Sequence, residues 1–208
     1  MRPRVKICGL TRIEDALLAI ELGAAAIGFV FWPKSPRSVD PPRAKTIVDA
    51  LPPFVVTVGV FADQQVEDVR EIVQAVRLSV VQLHGNEAAG DYESLRRPLI
   101  KALPVRAGIA PPAFADIPSD VTLLLDAHDP EKVGGTGRTI DWTVAAGIAA
   151  TRPVILSGGL RPENVAHAIR AVRPLAVDVA SGVEREPGVK DAAKLRAFFD
   201  AVAASARE

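Results

Sequence analysis

The chain has 208 residues, and its 25 Lys and Arg balance its 25 Asp and Glu, so the formal net charge is zero. This balance and an aromatic content of only 5% exclude the basic, aromatic-rich surface that is typical of nucleic-acid-binding proteins. The one cysteine, Cys8, has no second cysteine with which to form an internal disulfide, which is typical of a reducing compartment.

The N-terminal segment and the longest apolar stretch both argue against a membrane-directed sequence. Residues 1–6 carry charges, but no long apolar run follows them as in a secretory signal. The apolar stretch 22–32 is interrupted by Gly23 and Gly28 and is shorter than the roughly 20 residues that span a bilayer. We therefore expect a cytoplasmic protein, one domain over residues 1–208, with no membrane or nucleic-acid partner. The oligomeric state stays open, with a monomer favoured.

Short apolar runs rich in Val and Ile alternate with longer stretches of helical spacing. Such runs are typical of buried strands, and we predict strands over residues 4–8, 25–31, 54–61, 79–83, 99–103, 121–126, 153–157 and 176–180. Helices are predicted over 13–22, 42–51, 66–76, 87–96, 142–150, 162–172 and 192–204, with only a short turn at 111–116. Thr11 and Asp141 are predicted N-caps, Pro162 is predicted in a first helical turn, and Gly23 is predicted to end a helix.

This alternation predicts an α/β fold with parallel strands and right-handed crossovers. A doubly wound sheet usually has about five or six strand–helix units, whereas eight units in a continuous chain favour a single closed (β/α)8 TIM barrel. Active sites of such barrels lie at the carboxyl ends of the strands. The polar and glycine-rich segments at these ends are residues 8–11, 32–37, 82–85, 126–128, 157–160 and 178–184.

Glycine-containing segments follow the last two predicted strands, Gly158 and Gly159 after the seventh and Ser181 and Gly182 after the eighth. Glycines let backbone N–H groups approach an anion closely, and barrels often bind phosphate between these two loops. The alternative is that the glycines only permit tight turns. Glycines in both loops favour a phosphate site over that alternative.

Two strand-end residues are candidates for acid–base chemistry. Asp126 follows the apolar run 121–125, and partial burial there would favour the protonated form that a general acid needs. The alternative is a helix cap or a loop salt bridge. Cys8 ends the first strand just before Gly9, where a thiolate could act as a nucleophile or base. A lone cysteine is, however, more often a small core residue.

The remaining strand-end side chains suggest binding and do not suggest metal chemistry. Arg37 could pair with a substrate carboxylate, although most loop arginines are only solvated. His84 and His128 do not have the spacing of a metal motif, so we expect no metal and no cofactor. The glycine-rich segment 134–137 is a weak nucleotide signature and is better interpreted as a mobile lid.

Short motifs occur in order along the whole chain. The chain opens with KICGLT at residues 6–11. Further motifs follow: GFVF at 28–31, SPR at 35–37, VGVF at 58–61, QLHG at 82–85, LD at 125–126, GGTG at 134–137, SGGL at 157–160, PENV at 162–165 and DVASGVE at 178–184. Together and in this order they resemble the motifs of the phosphoribosylanthranilate isomerase family. Ile140 departs from the pattern, since the family usually has an aromatic residue there, and we expect no effect on chemistry.

The resemblance implies an isomerase of tryptophan biosynthesis that acts without a cofactor on a small phosphorylated substrate. Its reaction is an Amadori aldose–ketose isomerisation of N-(5-phosphoribosyl)anthranilate. By residue matching, Cys8 would be the general base and Asp126 the general acid. Arg37, Gln82 and Asp178 would bind substrate, Arg37 through the anthranilate carboxylate. The phosphate would bind at Gly158, Gly159, Ser181 and Gly182.

Three alternatives remain open beside this interpretation. A histidine-pathway isomerase catalyses the same rearrangement, but that family is expected to use two aspartates, one of them at the end of the first strand. Cys8 stands at that position here, which argues against this alternative. A barrel that serves both pathways is not excluded. A non-catalytic barrel that binds a phosphorylated ligand would keep the glycine loops but would not need both Cys8 and Asp126.

Overall fold

The computed structural model describes residues 3–105, 114, 116–127 and 140–205. Eight parallel strands close into a barrel in chain order, which confirms the predicted fold class. The closing seam pairs the first strand with the eighth, with Lys6 opposite Asp178. The strands are β1 Arg4–Ile7, β2 Ala26–Val30, β3 Val56–Phe61, β4 Val80–Leu83, β5 Leu99–Val105, β6 Thr122–Ala127, β7 Val154–Leu156 and β8 Ala176–Val179.

Helices lie on the outside of this barrel. The α-helices are α1 Ile13–Glu21, α2 Pro41–Asp49, α3 Val66–Val76, α4 Trp142–Ala149, α5 Val165–Val172 and α6 Ala192–Ala204. Two 3₁₀ helices lie at Ala89–Leu95 and Ser181–Val183. None of the helices in the described ranges is long and apolar enough to cross a membrane. The predicted turn at 111–116 and the predicted lid at 134–137 fall largely or wholly outside the described residues, as does His128.

The predicted α-helix over 87–96 is instead a 3₁₀ helix that begins at Ala89. Glu87 belongs to the preceding loop because its carboxylate accepts from the backbone N–H groups of Asp63 and Gly85 and pairs with Lys101 at 3.0 Å. Gly90 is in addition a poor α-helix former.

Two predicted helix starts also differ from the structure. The N-cap of α1 is Arg12, and Thr11 donates instead through Oγ1 to the carbonyl of Gly188 at 2.6 Å. Helix α5 begins at Val165, three residues after Pro162, because Asn164 holds the preceding loop by accepting from Arg161 N and donating to the Gly159 carbonyl. The Asp141 N-cap is confirmed, since its carboxylate accepts from the N–H groups of the next turn.

Side chains inside the barrel change in character along the strands. Its apolar interior is formed by Val58, Ile100, Ala102, Leu124, Ile155 and Ala176, with Ala26 and Val80 packed against them. Two residues further along several strands, at the next inward-facing position, the side chain is polar. Leu124 is followed in this way by Asp126, Ile155 by Ser157, and Ala176 by Asp178.

A short antiparallel hairpin follows β8 and was missed by the sequence prediction. It pairs β9 Glu184–Glu186 with β10 Val189–Lys190. Pro187 and Gly188 form the turn, and Gly188 has a positive φ of 82°, which favours glycine. The hairpin lies beside the end of β1, since Lys190 Nζ donates to the Cys8 carbonyl at 2.6 Å.

Candidate active site

A cavity opens at the carboxyl ends of the strands, with an empty volume of about 520 Å³ that includes space open to solvent. The predicted residues Cys8, Arg37, Gln82, Asp126 and Asp178 all line it. The remaining wall is formed by Val30, Trp32, Ser35, Val60, Ala62, His84, Ser157 and Ala180. The structure therefore brings the predicted acid, base and substrate-binding side chains into one cavity.

Cys8 is buried directly after β1, beside an ion pair. Lys6 Nζ donates to Asp178 Oδ1 at 2.9 Å, and both side chains are almost fully buried. Ser157 donates through Oγ to the other oxygen of Asp178 at 3.3 Å. Gly28 on β2 leaves the space for this arrangement, since a Cβ there would lie 2.9 Å from Cys8 Sγ and 3.2 Å from Lys6 Cε.

Opposing effects act on the ionisation of Cys8. Burial raises the pKa of the Cys8 thiol, because the charged thiolate is poorly solvated there. The cations of Lys6 and Lys190 act in the other direction, whereas Asp178 adds to the rise. The net pKa is above the ordinary value, so the free protein holds Cys8 mainly as the thiol.

Asp126 lies at the end of β6 in a hydrogen-bonded row with an imidazole and an amide. Its Oδ1 accepts from the N–H of Ala127 at 2.9 Å, and its Oδ2 lies 3.0 Å from His84 Nε2. His84 Nδ1 lies 2.9 Å from Gln82 Nε2. The amide N–H₂ donates, so in this arrangement Nδ1 accepts and Nε2–H donates to Asp126. Gln82 Oε1 is buried and has no partner among the described residues.

Arg37 is held by a buried carboxylate. Its guanidinium contacts Glu184 through Nε at 2.9 and 3.0 Å and through Nη2 at 2.7 Å. Glu184 also accepts from Lys190 Nζ at 2.8 Å. Burial alone would raise the pKa of Glu184, but Arg37 and Lys190 outweigh it and lower that pKa. Burial lowers the pKa of Lys190 despite the opposing effect of Glu184.

The two loops predicted to bind phosphate lie against each other. A Cβ on Gly182 would lie 1.9 Å from the Leu160 carbonyl, and one on Gly158 would lie 2.5 Å from the Ala127 nitrogen. These two glycines are therefore required by packing, whatever else they bind. Gly159 has a positive φ of 64°, and Ser181 and Gly182 open the second 3₁₀ helix. Early N–H groups of a helix lack intrahelical partners, which leaves donors for an anion.

Residues 5–201 match the family model of N-(5'-phosphoribosyl)anthranilate (PRA) isomerase. The chain belongs to this family. The N-(5'-phosphoribosyl)anthranilate isomerase of Pseudomonas fluorescens strain Pf0-1 is 53% identical over 201 residues, which cover 96% of this chain and 98% of that relative. The resemblance found in the sequence motifs is thereby confirmed.

Solved structures of PRA isomerases have the same fold. The crystal structure of phosphoribosyl anthranilate isomerase from Thermus thermophilus superposes with a TM-score of 0.87 at 48% identity, over 97% of this chain and 98% of that one. A second PRA isomerase has a TM-score of 0.82 at 40% identity, over 97% and 99% of the two chains. That enzyme was crystallised in complex with reduced 1-(o-carboxyphenylamino)-1-deoxyribulose 5-phosphate.

Some side chains of the site were missed by the sequence prediction. Lys6 and Lys190 next to Cys8, and Glu184 on Arg37, were not singled out as functional. Trp32, half-buried on the cavity wall, was also not singled out. The Pro187-Gly188 dipeptide is a turn signal that could have indicated the hairpin and with it Lys190. Lys6 had a signal too, because a lysine two residues before Cys8 shares its strand face.

Proposed function

We propose that this protein catalyses the isomerisation of N-(5'-phosphoribosyl)anthranilate to 1-(o-carboxyphenylamino)-1-deoxyribulose 5-phosphate. Membership of the PRA isomerase family supports this function, as does the relative that binds the reduced form of that compound. The observation that carries the assignment of residues is that Cys8 and Asp126 line the same cavity. One group that takes a proton and one that gives a proton are what the reaction needs.

The first step assigned to Asp126 is protonation of the furanose ring oxygen. The bond between that oxygen and C1 breaks, the oxygen leaves as a hydroxyl, and the nitrogen lone pair forms a protonated imine with C1. Before this step a protonated Asp126 donates from Oδ2 to His84 Nε2, with Nδ1 carrying the imidazole proton, and the O–H then turns from His84 to the ring oxygen and gives its proton up there. Rotation of the Gln82 amide by half a turn would present Oε1 to Nδ1–H. That rotation gives the partnerless oxygen of Gln82 a donor.

The second step assigned to Cys8 is removal of the proton from C2 of the sugar. The electrons of the C–H bond form the C1–C2 double bond of an enolamine, and the protonated imine becomes neutral. Tautomerisation then gives the ketone. The thiolate is the form that accepts the proton, so the reaction draws on whatever fraction of Cys8 is ionised when substrate is bound.

The two ends of the substrate fit different parts of the cavity wall. Arg37 offers a guanidinium already oriented by Glu184 for the anthranilate carboxylate. Trp32 lies in the same segment after β2, where its ring can cover the aromatic ring of the substrate. The phosphate would lie at the other side, on the N–H groups of Gly159, Ser181 and Gly182. Asp178 would contact the sugar hydroxyls beside Cys8.

The test is an isomerase assay of the purified protein with N-(5'-phosphoribosyl)anthranilate. We expect turnover without added metal or cofactor, and no turnover would refute the proposal. Two comparison substrates sharpen it. The histidine-pathway phosphosugar measures whether the site serves both reactions, and a dephosphorylated substrate should react much more slowly if phosphate binding matters. Equal use of the dephosphorylated compound would refute the phosphate site alone.

A further inference from the structure

Lys6 lies beside Cys8 without being one of the proton-transfer groups of the reaction. The two side chains leave β1 on the same face, two residues apart, and enter the barrel interior. Both pack into the space beside Gly28, where a Cβ would lie within 3.2 Å of each. The ammonium of Lys6 and the sulfur of Cys8 are therefore neighbours in a site where water has little access.

The charge of Lys6 is maintained by its second neighbour. Only 3% of Lys6 is exposed, and burial by itself would lower the pKa of its ammonium. Asp178 and Cys8 outweigh burial and raise that pKa, so Lys6 is a cation at neutral pH. Asp178 is in turn fixed by Ser157. Asp178 is the one carboxylate that pairs with Lys6 in the described part of the chain, so the buried ammonium can also attract a second anion beside it.

Other charged groups also face Cys8, and those on different strands have opposite effects on the thiolate. Asp178 on β8 disfavours the thiolate, and Lys190 on β10 favours it. Lys190, however, already donates to the carbonyl groups of Cys8 and Ala180 and to Glu184. Across the cavity lie Asp126 and His84, which are engaged with each other. Lys6 is thus the cation that shares a strand face with the thiol.

We propose that Lys6 is the positioning residue of the base: its ammonium stabilises the Cys8 thiolate, and its ion pair with Asp178 fixes it in place. This inference deepens the proposed function and depends on it for its meaning. Lys6 keeps its own protons throughout, and the proton from C2 moves to Cys8 only. Without this cation, burial and Asp178 would disfavour the thiolate, and among the described residues Lys190 would be left to oppose them.

The single cysteine makes the inference measurable without substrate. The rate of alkylation of the one thiol by iodoacetamide, followed against pH, reports on Cys8, and thiolate absorbance near the ultraviolet edge reports on it below the pH at which Tyr92 ionises. Lys6→Gln removes the charge but keeps a donor for Asp178. We expect the pH of half-ionisation to rise by about one pH unit, and alkylation at pH 7.5 to slow about tenfold. The acid limb of the pH profile of kcat/KM should move upward by the same amount.

Two further variants separate this role from a structural one. Lys6→Arg keeps a cation and should restore the thiol titration toward that of the wild type. Lys45→Met removes a surface lysine of α2 and should leave the titration unchanged. If Lys6→Gln does not fold, Lys6→Met with Asp178→Asn removes both charges together and is titrated in its place. In that variant Lys190 acts alone, and alkylation at pH 7.5 should still be slower than in the wild type.

A thiol that titrates identically with and without the Lys6 charge would overturn the inference. So would a Lys6→Arg variant that behaves like Lys6→Gln. Neither measurement requires turnover, so these outcomes are distinct from a failure of the isomerase assay, which would refute the proposed function instead.

Discussion

Two sides of the barrel mouth surround the proposed base and the proposed acid, and their side chains differ in character. Around Cys8, at the seam between β1 and β8, the wall is crowded with buried charges: Lys6, Asp178, Lys190, Glu184 and Arg37. Around Asp126, on β6, the side-chain partner is an imidazole, which is itself held by an amide. The thiol needs help to lose a proton, and nearby cations give that help. The carboxyl needs a partner through which its proton can be held or released, and a histidine whose proton can reside on either nitrogen provides it.

Replacing the base gives the largest expected effect on this comparison. Cys8→Ser keeps the size of the side chain, but a hydroxyl is far less ionised than a thiol. We expect kcat to fall by at least the roughly 10²–10⁴-fold that a general base contributes, with substrate still bound. Steady-state kinetics and a fluorescence titration with a product analogue measure the two effects. A near-normal kcat would remove Cys8 from the mechanism.

Replacing the acid tests the other side of the mouth. Asp126→Asn keeps the shape and the hydrogen bond from Ala127 but cannot donate a useful proton. We expect kcat to fall roughly 10²–10⁴-fold with little change in affinity or in melting temperature. Single-turnover rates and thermal melting are measured on the same preparation. A variant that melts earlier yet reacts at the normal rate would show that Asp126 is structural.

Removing the carboxylate that joins Arg37 and Lys190 should act on stability and on KM. Glu184→Gln leaves Arg37 and Lys190 buried with one partner fewer, and we expect a loss of about 3 kcal/mol in the free energy of unfolding at pH 7. KM should rise more than kcat falls, because Arg37 loses the carboxylate that orients it. An unchanged KM would show that Arg37 does not depend on Glu184.

The pH dependence of the same variant has a definite sign. The pKa of Glu184 is lowered in the folded protein, so its contribution is fully present above the unfolded value of about 4.3. It is lost as pH falls through the folded pKa. The difference in unfolding free energy between wild type and Glu184→Gln should therefore shrink from pH 6 toward pH 3. Chemical denaturation at several pH values measures it, and a constant difference would contradict this account.

The smallest effect is expected from replacing Gln82, the amide that determines which nitrogen of His84 carries the proton. Gln82→Met has a similar volume and cannot bind His84 Nδ1, so the imidazole loses the partner that selects its protonated nitrogen. We expect kcat to fall about tenfold, the order of one hydrogen bond to the acid's partner, with the Cys8 titration unchanged. The matched Cys8 titration is the control, because it should respond to Lys6 and not to Gln82.

Local sequence patterns predicted the strands that carry the site better than they predicted the contacts between its charged side chains. All eight strands were predicted within about two residues of their observed ends, because buried strands and their flanking turns have clear sequence signals. Cys8 and Asp126 became candidates through their positions at strand ends, and only the family resemblance assigned them the roles of base and acid. The contact between Glu184 and Arg37 joins residues 147 positions apart, and its geometry depends on a hairpin whose two strands have only five residues in all. Neither has a periodic signal, and although Pro187 and Gly188 indicate a turn, only the closed barrel shows that the hairpin brings Glu184 to Arg37.

Because Cys8 lies at the seam between β1 and β8, its exposure can report on the folding of the barrel. Lys6 and Asp178 are 172 positions apart, and Lys190 and the Cys8 carbonyl are 182 apart. Contacts of such long sequence separation carry a high loop-closure entropy and depend on nearly the whole chain being in place. A chain in which this seam is open would leave the sulfur exposed to solvent, away from Lys190 and beside a Lys6 that has lost Asp178. The rate at which the thiol becomes protected from alkylation during refolding would therefore time the closure of the barrel.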